Sequence, residues 1–254
     1  NQKKSLLVSP MKYGVISGGK KIRSTIIFDM GKLFKIKEKK LIHICAAVEC
    51  IHSYSLIHDD LPCMDNDSYR RGKPSTHKKY GEATAVLAGN SLLTLAFEII
   101  SDEKNSLNAK QKNEIIRLLS NFSGHTGIAG GQYLDLSYEK KKITYPRIIN
   151  MQKKKTGKLF EFCCSAPAII SKKKNKILKE SKEEAFKLFK EEEETELLSE
   201  IIKRVNEVYG VELKEEDLLD LSKIQTRINS DEELQKVYDA CAFYINMPFS
   251  WTTS

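Results

Sequence analysis

Glycine and proline are scarce in this chain, at 13 and 6 of 254 residues, which excludes a turn-rich β architecture and any collagen-like repeat. Zinc-type spacing is missing as well. The six cysteines (45, 50, 63, 163, 164 and 241) form no CxxC pair and no Cys/His set, so a structural zinc site is not expected. Several lie in apolar helical stretches and read as small core residues, in keeping with a reducing, cytoplasmic setting. Long apolar runs are also lacking. The most apolar segment, residues 83–100, is interrupted by Asn90, Ser91 and Thr94, so the expectation is a buried helix and no stable membrane association. The chain starts at Asn1 without a methionine or a signal-like segment, from which a missing natural N-terminus is expected. Arginine is rare, at seven of 42 basic residues, and no aromatics interleave the lysine triplets at 140–142, 153–155 and 172–174. The net charge of +8 is therefore read as a solvated, lysine-biased surface, with no nucleic-acid partner.

What remains is helical. Residues 41–60 place Leu41, Ile44, Cys45, Val48, Ile51 and Leu56 at helical intervals, and Pro62 makes Leu61 the expected end of that helix. Further helices are expected over 84–100, 109–138 and 145–171, with no strand called anywhere. Charge then changes along the chain. Residues 190–239 hold 16 acidic and 7 basic residues, a net of −9, and 240–254 hold none, leaving +17 for the first 189. That break predicts a helical domain over 1–189 and an acidic helical tail over 190–254. The tail carries its own apolar stripe through Leu197, Leu198, Ile201, Ile202, Val205 and Val208.

Chemistry concentrates between His52 and Gly72. Asp59, Asp60, Asp65 and Asp67 put four carboxylates into nine residues, and Arg70 and Arg71 follow directly. Carboxylates in such density need a hard cation, with Mg2+ the usual choice and Mn2+ a substitute. Adjacent guanidinium groups match phosphate oxygens in forked geometry. Acid at the C-terminal end of a helix opposes the helix dipole, which strengthens the case for a bound cation. On a helix, His52, Ser55 and Asp59 share one face. A turn beyond Pro62 would bring Asp65 and Asp67 back towards Asp59. The bland alternative is an acidic helix end running into a solvated loop.

Four motifs in order resemble those of the trans-isoprenyl diphosphate synthases, over about residues 5–189. Residues 49–72 look like the first aspartate-rich motif of that family, and the two extra residues before Asp65 resemble its bacterial farnesyl form. Gly18-Gly19-Lys20-Lys21-Ile22-Arg23 resembles Gly-Gly-Lys-Arg-x-Arg-Pro, with Lys21 in place of arginine and Ser24 in place of proline. Gly130-Gly131-Gln132 with Asp135 matches a mid-chain helix motif, and Lys155-Thr156 matches a lysine-threonine pair. The resemblance implies an all-α isoprenoid-synthase bundle around a central diphosphate and magnesium cavity, altered at its C-terminal end, and a homodimer. It implies Asp59, Asp60 and Asp65 as metal ligands with Asp67 in support. Arg70, Lys155 and Thr156 would serve the allylic diphosphate, Lys20, Arg23, His52 and Arg71 the isopentenyl diphosphate, and Gln132 would bind substrate. Tyr54 and Ser55 would line the pocket for the growing chain, with the Tyr54 ring limiting its length; C15, farnesyl diphosphate, is the expected product, with C10 and C20 the alternatives. The implied reaction is Mg-assisted ionisation of a dimethylallyl or geranyl diphosphate, condensation with isopentenyl diphosphate, and elimination of a proton.

One family feature is lacking. After Phe189 there is no Phe-Gln-x-x-Asp-Asp-x-x-Asp at the expected place, and Glu216, Asp217 and Asp220 are the nearest imitation. Two readings follow: an active prenyltransferase, or an impaired diphosphate- and Mg-binding homologue or partner subunit.

Overall fold

The computed structural model describes residues 6–16, 18–139 and 141–171. Nine α-helices are described: α1 (Val8–Ile16), α2 (Ile22–Leu33), α3 (Ile42–Asp59), α4 (Thr76–Tyr80), α5 (Glu82–Ser101), α6 (Ala109–Ser123), α7 (Ile128–Tyr138), α8 (Tyr145–Gln152) and α9 (Lys158–Ser171). A 3-10 turn (Glu38–Lys40) precedes α3, and one π turn (Lys153–Gly157) joins α8 to α9.

The centre of the bundle is α3, which buries Ile44, Cys45, Ala46, Ala47, Val48, Cys50, Ile51 and Ile57. A helix apolar on nearly every face belongs in the middle, so its few polar residues mark where the core is interrupted for a purpose. Its largest interface is with α5, while α9 packs on α2 and α6. Ile51, Leu92, Ile99 and Phe162 are fully buried at these contacts, each contributing about 1.5–3 kcal/mol of transfer free energy.

Four sequence expectations need correction. At 20 residues, α5 is long and apolar enough to cross a membrane by length and composition; its Ala85, Ala88, Leu92, Leu95, Ala96 and Ile99 are buried within the bundle. The helix expected over 109–138 is two helices, α6 and α7. Gly124 ends α6 and Gly127 precedes α7, because glycine releases the chain from helical dihedrals at little steric penalty. The helix over 145–171 runs on from α8 to α9 but widens into the π turn. Finally, a strand pair occurs where none was expected: Tyr69–Arg70 (β1) pairs antiparallel with Lys73–Pro74 (β2). Arg71 and Gly72 form its tight turn with φ of 53° and 73°, the backbone that two-residue hairpins favour. Glu216, Asp217 and Asp220, the tail stripe and the boundary expected near 190 lie outside the described residues.

Candidate active site

The C-terminal end of α3 folds back on itself as its proline suggests. Asp65 N–H donates to the Asp59 carbonyl at 2.8 Å, and Asn66 N–H to the Leu61 carbonyl at 3.1 Å. This brings Asp65 beside Asp59. Burial pushes the Asp59 carboxyl up to about 6; Lys155 and Arg70 oppose the rise, while Asp65 and Asp60 add to it. Two mutually repelling acids with one of them partly desolvated favour a cation between them.

Helix α7 and the π turn close this side. Gln132 Nε2 donates to Asp65 Oδ1 at 3.3 Å, and its Oε1 is buried with no protein partner. Lys155 Nζ pairs with Asp135 Oδ2 at 2.5 Å. A Cβ on Gly131 would overlap the backbone of Lys155, so only glycine lets α7 approach the π turn this closely. Isolated π turns re-aim side chains inside helices, and this one carries both Lys155 and Thr156. Asp135, to which the sequence motif alone gives no role, is the residue that holds Lys155.

Asp60 and Arg70 satisfy each other. Arg70 Nε donates to Asp60 Oδ1 at 3.0 Å, its Nη2 reaches the same oxygen, and Nη2 also reaches Asp67 Oδ2 at 3.1 Å. That hydrogen bond raises the Arg70 pKa, whereas burial raises that of Asp60 against the pull of Arg70. Asp60 lines a cavity of about 30 Å3 with Tyr13, Ser53, Arg71 and Ser75. Of the three expected metal ligands, the fold-back therefore pairs Asp59 with Asp65, and Asp60 is engaged by Arg70.

A second cationic cluster lies one to two turns earlier on α3. Arg23 Nη1 is 3.3 Å from His52 Nε2, and the Arg23 guanidinium stacks 4.8 Å from the Phe160 ring centre. Its Nε is buried without a protein hydrogen bond. Arg71 donates from Nη1 to the Gly18 carbonyl. Gly18 and Gly19 have φ of 97° and 111°, backbone that favours glycine, and a Cβ at 19 would also crowd the Arg71 guanidinium. Lys20 is exposed beside them. Burial first, then the charges of Arg23, Arg71, Lys21 and Arg70, hold His52 well below the usual imidazole range. A neutral histidine among these cations is a hydrogen-bonding group in a field suited to an anion.

Tyr54 is 7% exposed and donates from its hydroxyl to the Ser123 carbonyl at 3.3 Å. Burial, then the charge of Asp59, pushes its pKa up to about 12. Its ring meets His58 edge-on at 5.8 Å. Ser55 Oγ donates to the His52 carbonyl at 2.9 Å, within its own helix.

These two cationic and carboxylate clusters, facing along one helix, coincide with a family signature. The family model of polyprenyl synthetases matches residues 4–188. The chain belongs to the polyprenyl synthetase family. It is 50% identical over 154 residues to the farnesyl diphosphate synthase of Buchnera aphidicola from Acyrthosiphon pisum, covering 59% of this chain and 54% of that one. With the Bacillus subtilis farnesyl diphosphate synthase it shares 42% over 166 residues, covering 65% and 56%. The chain thus spans about half the length of the curated relatives it matches. Among solved structures, an FPP/GFPP synthase from Zymomonas mobilis superposes with a TM-score of 0.71 at 34% identity, covering 95% of this chain and 88% of that one. A geranyltransferase from Legionella pneumophila gives 0.70 at 30%, again with 95% and 88% covered. The polyprenyl synthetase fold is thus the all-α bundle expected from the sequence.

The described residues fit a divalent metal at Asp59 and Asp65. Among them no three His, Cys, Asp or Glu side chains converge on one point, so they do not form an all-protein cage. Magnesium characteristically takes one or two carboxylates and completes its shell with water and substrate phosphate oxygens. The raised Asp59 pKa and the buried, unpartnered Gln132 Oε1 are both consistent with such a guest.

Proposed function

We propose that this protein is a short-chain trans-prenyltransferase that condenses isopentenyl diphosphate with dimethylallyl or geranyl diphosphate to give chiefly farnesyl diphosphate. The observation that carries the reading is the pairing of two anion-binding clusters along α3. Asp59, Asp65, Gln132 and Lys155 stand at its end, and Lys20, Arg23, His52 and Arg71 one to two turns before. Two diphosphates held at a fixed separation let one substrate attack the other without a search through solution.

In this reading Asp59 and Asp65 hold magnesium, or manganese in its place, with the allylic diphosphate. Bound there, the metal would neutralise the charge that develops on the departing diphosphate. Lys155, released from Asp135, and Thr156 contact that diphosphate and stabilise its charge as the allylic C–O bond breaks. Arg70 orders the acidic loop through Asp60 and Asp67 and meets the same diphosphate at its edge. Arg23, Lys20 and Arg71 bind isopentenyl diphosphate, and neutral His52 donates or accepts a hydrogen bond without adding charge. The double bond of isopentenyl diphosphate then attacks the allylic cation, and loss of a proton leaves a product five carbons longer. Tyr54 and Ser55 sit one turn below Asp59, where the Tyr54 ring stops chain growth.

Cys45, Cys50, Cys163 and Cys164 pack as small buried residues of the bundle, which supports a reducing, cytoplasmic location. Exposed Val86 and Leu87 on α5, 38% and 55% accessible, supply an apolar strip that a second copy would cover in a homodimer. Incubation with Mg2+, isopentenyl diphosphate and geranyl diphosphate, followed by chromatography of the dephosphorylated products, is the test. Farnesol is the expected product. No product from a folded protein that still binds pyrophosphate would favour the impaired homologue or partner subunit instead.

A further inference from the structure

The two departures from the family's glycine-lysine motif converge on one buried group. Glu49 lies on α3, one turn before His52, and is 2% exposed. Its Oε2 is 3.3 Å from Lys21 Nζ, and its Oε1 accepts from Ser24 Oγ at 2.7 Å. Lys21 has a left-handed backbone, φ 47°, and its side chain turns inward to donate also to the Val15 carbonyl at 2.8 Å. Lysine is a point charge on a flexible stem, whereas arginine offers a planar fork that can serve both oxygens of a carboxylate. With lysine at 21, the hydroxyl at 24 partners the other Glu49 oxygen. With arginine at 21, that hydroxyl would be redundant and proline would be tolerable there, since position 24 lies in the first turn of α2 where no intrahelical bond is lost.

This clamp sits under the isopentenyl cluster. Ser24 follows Arg23, whose Nη1 is 3.3 Å from His52, and Lys21 follows Lys20 and the Gly18 carbonyl to which Arg71 donates. Asp59 ends α3, Asp65 lies in the turn beyond it, and Gln132 and Lys155 sit on α7 and the π turn. We propose that Lys21, Ser24 and Glu49 form a positioning clamp that sets the geometry of the isopentenyl diphosphate site, and that Lys21 and Ser24 compensate each other. The substrate named rests on the prenyltransferase reading; the coupling of the two positions does not.

The test is a cycle of Ser24→Ala, Ser24→Pro, Lys21→Arg and the double variant Lys21→Arg/Ser24→Pro, with both KM values, kcat and the thermal midpoint measured for each. An unsatisfied buried acceptor is a perturbation worth about tenfold in an equilibrium constant. Ser24→Ala and Ser24→Pro are therefore expected to raise KM for isopentenyl diphosphate about tenfold, with KM for the allylic substrate and kcat within about twofold. The double variant should recover most of the loss in both KM and midpoint that Ser24→Pro suffers alone. A rise in both KM values together, or none, in variants with native-like midpoints would overturn the positioning role. A double variant no better than Ser24→Pro would overturn the compensation. Should the wild type turn over no substrate, the prenyltransferase reading fails by itself, and the midpoint cycle still decides the coupling.

Discussion

Replacing Asp59 by asparagine is expected to stabilise the ligand-free protein while removing its proposed function. Burial pushes the Asp59 carboxyl from 3.8 up to about 6, Lys155 and Arg70 oppose that rise, and Asp65 and Asp60 add to it. At 1.36 kcal/mol per unit, the displacement corresponds to about 3 kcal/mol between the two protonation states. The side chain stays partly open to solvent, so screening reduces the effect on stability to roughly 1–2 kcal/mol. The sign follows from proton linkage. The folded protein holds this proton more tightly than the unfolded chain, so the stabilising contribution is complete below about 3.8 and is lost as pH rises through about 6. Asparagine carries no such loss, and it also removes a negative charge from the unfavourable end of the α3 dipole. Urea unfolding in metal-free buffer reads the difference. The two proteins should converge in stability at about pH 4, and the variant should be the more stable by about 1–2 kcal/mol at about pH 7.5. A variant less stable than the wild type at the higher pH would refute burial as the dominant influence on Asp59.

Tyr54→Ala removes about seven heavy atoms, more than the five carbons of one isoprene unit, so products longer than farnesyl are expected by mass spectrometry. Tyr54→Phe should keep the C15 product and lose only about 0.5–1.5 kcal/mol with the Ser123 hydrogen bond. An active Tyr54→Ala variant with unchanged products would remove the ring as the gate. Gly131→Ala forces α7 and the π turn apart, and a shift of this kind should lower kcat about a hundredfold with little change in far-ultraviolet circular dichroism; retained kcat would show that the close approach is dispensable. Chelation by EDTA should abolish turnover, with recovery on adding excess Mg2+ or Mn2+, and full activity in EDTA would exclude the metal role of Asp59 and Asp65.

The central helix was legible because its apolar periodicity is strong and its end is marked by Pro62. The fold-back of Asp65 onto Asp59 followed from the same proline. The break between α6 and α7 was less legible, since Gly124 and Gly127 stand in an otherwise helical pattern, and a lone glycine is tolerated often enough to be read through. The hairpin at 69–74 has only two residues per strand, too short for any alternation to register. Within the site, residue types announced a metal and anions but not how they pair. Arg70 reads as a ligand for phosphate, and its engagement with Asp60 depends on where the hairpin turn directs it. Glu49 offered one missed signal: a carboxylate flanked by Val48 and Cys50 in the apolar middle of a helix implies a buried partner. That partner is Lys21, a position at which the sequence shows only an exchange of one basic residue for another.

The most direct measurement of the metal role of Asp59 and Asp65 is product formation by the wild type beside Asp59→Ala and Asp65→Ala, under saturating Mg2+, isopentenyl diphosphate and geranyl diphosphate. That role predicts farnesyl diphosphate from the wild type, a loss of at least about a hundredfold in kcat for each variant, and isopentenyl diphosphate binding retained in both. Equal turnover by wild type and variants would contradict it.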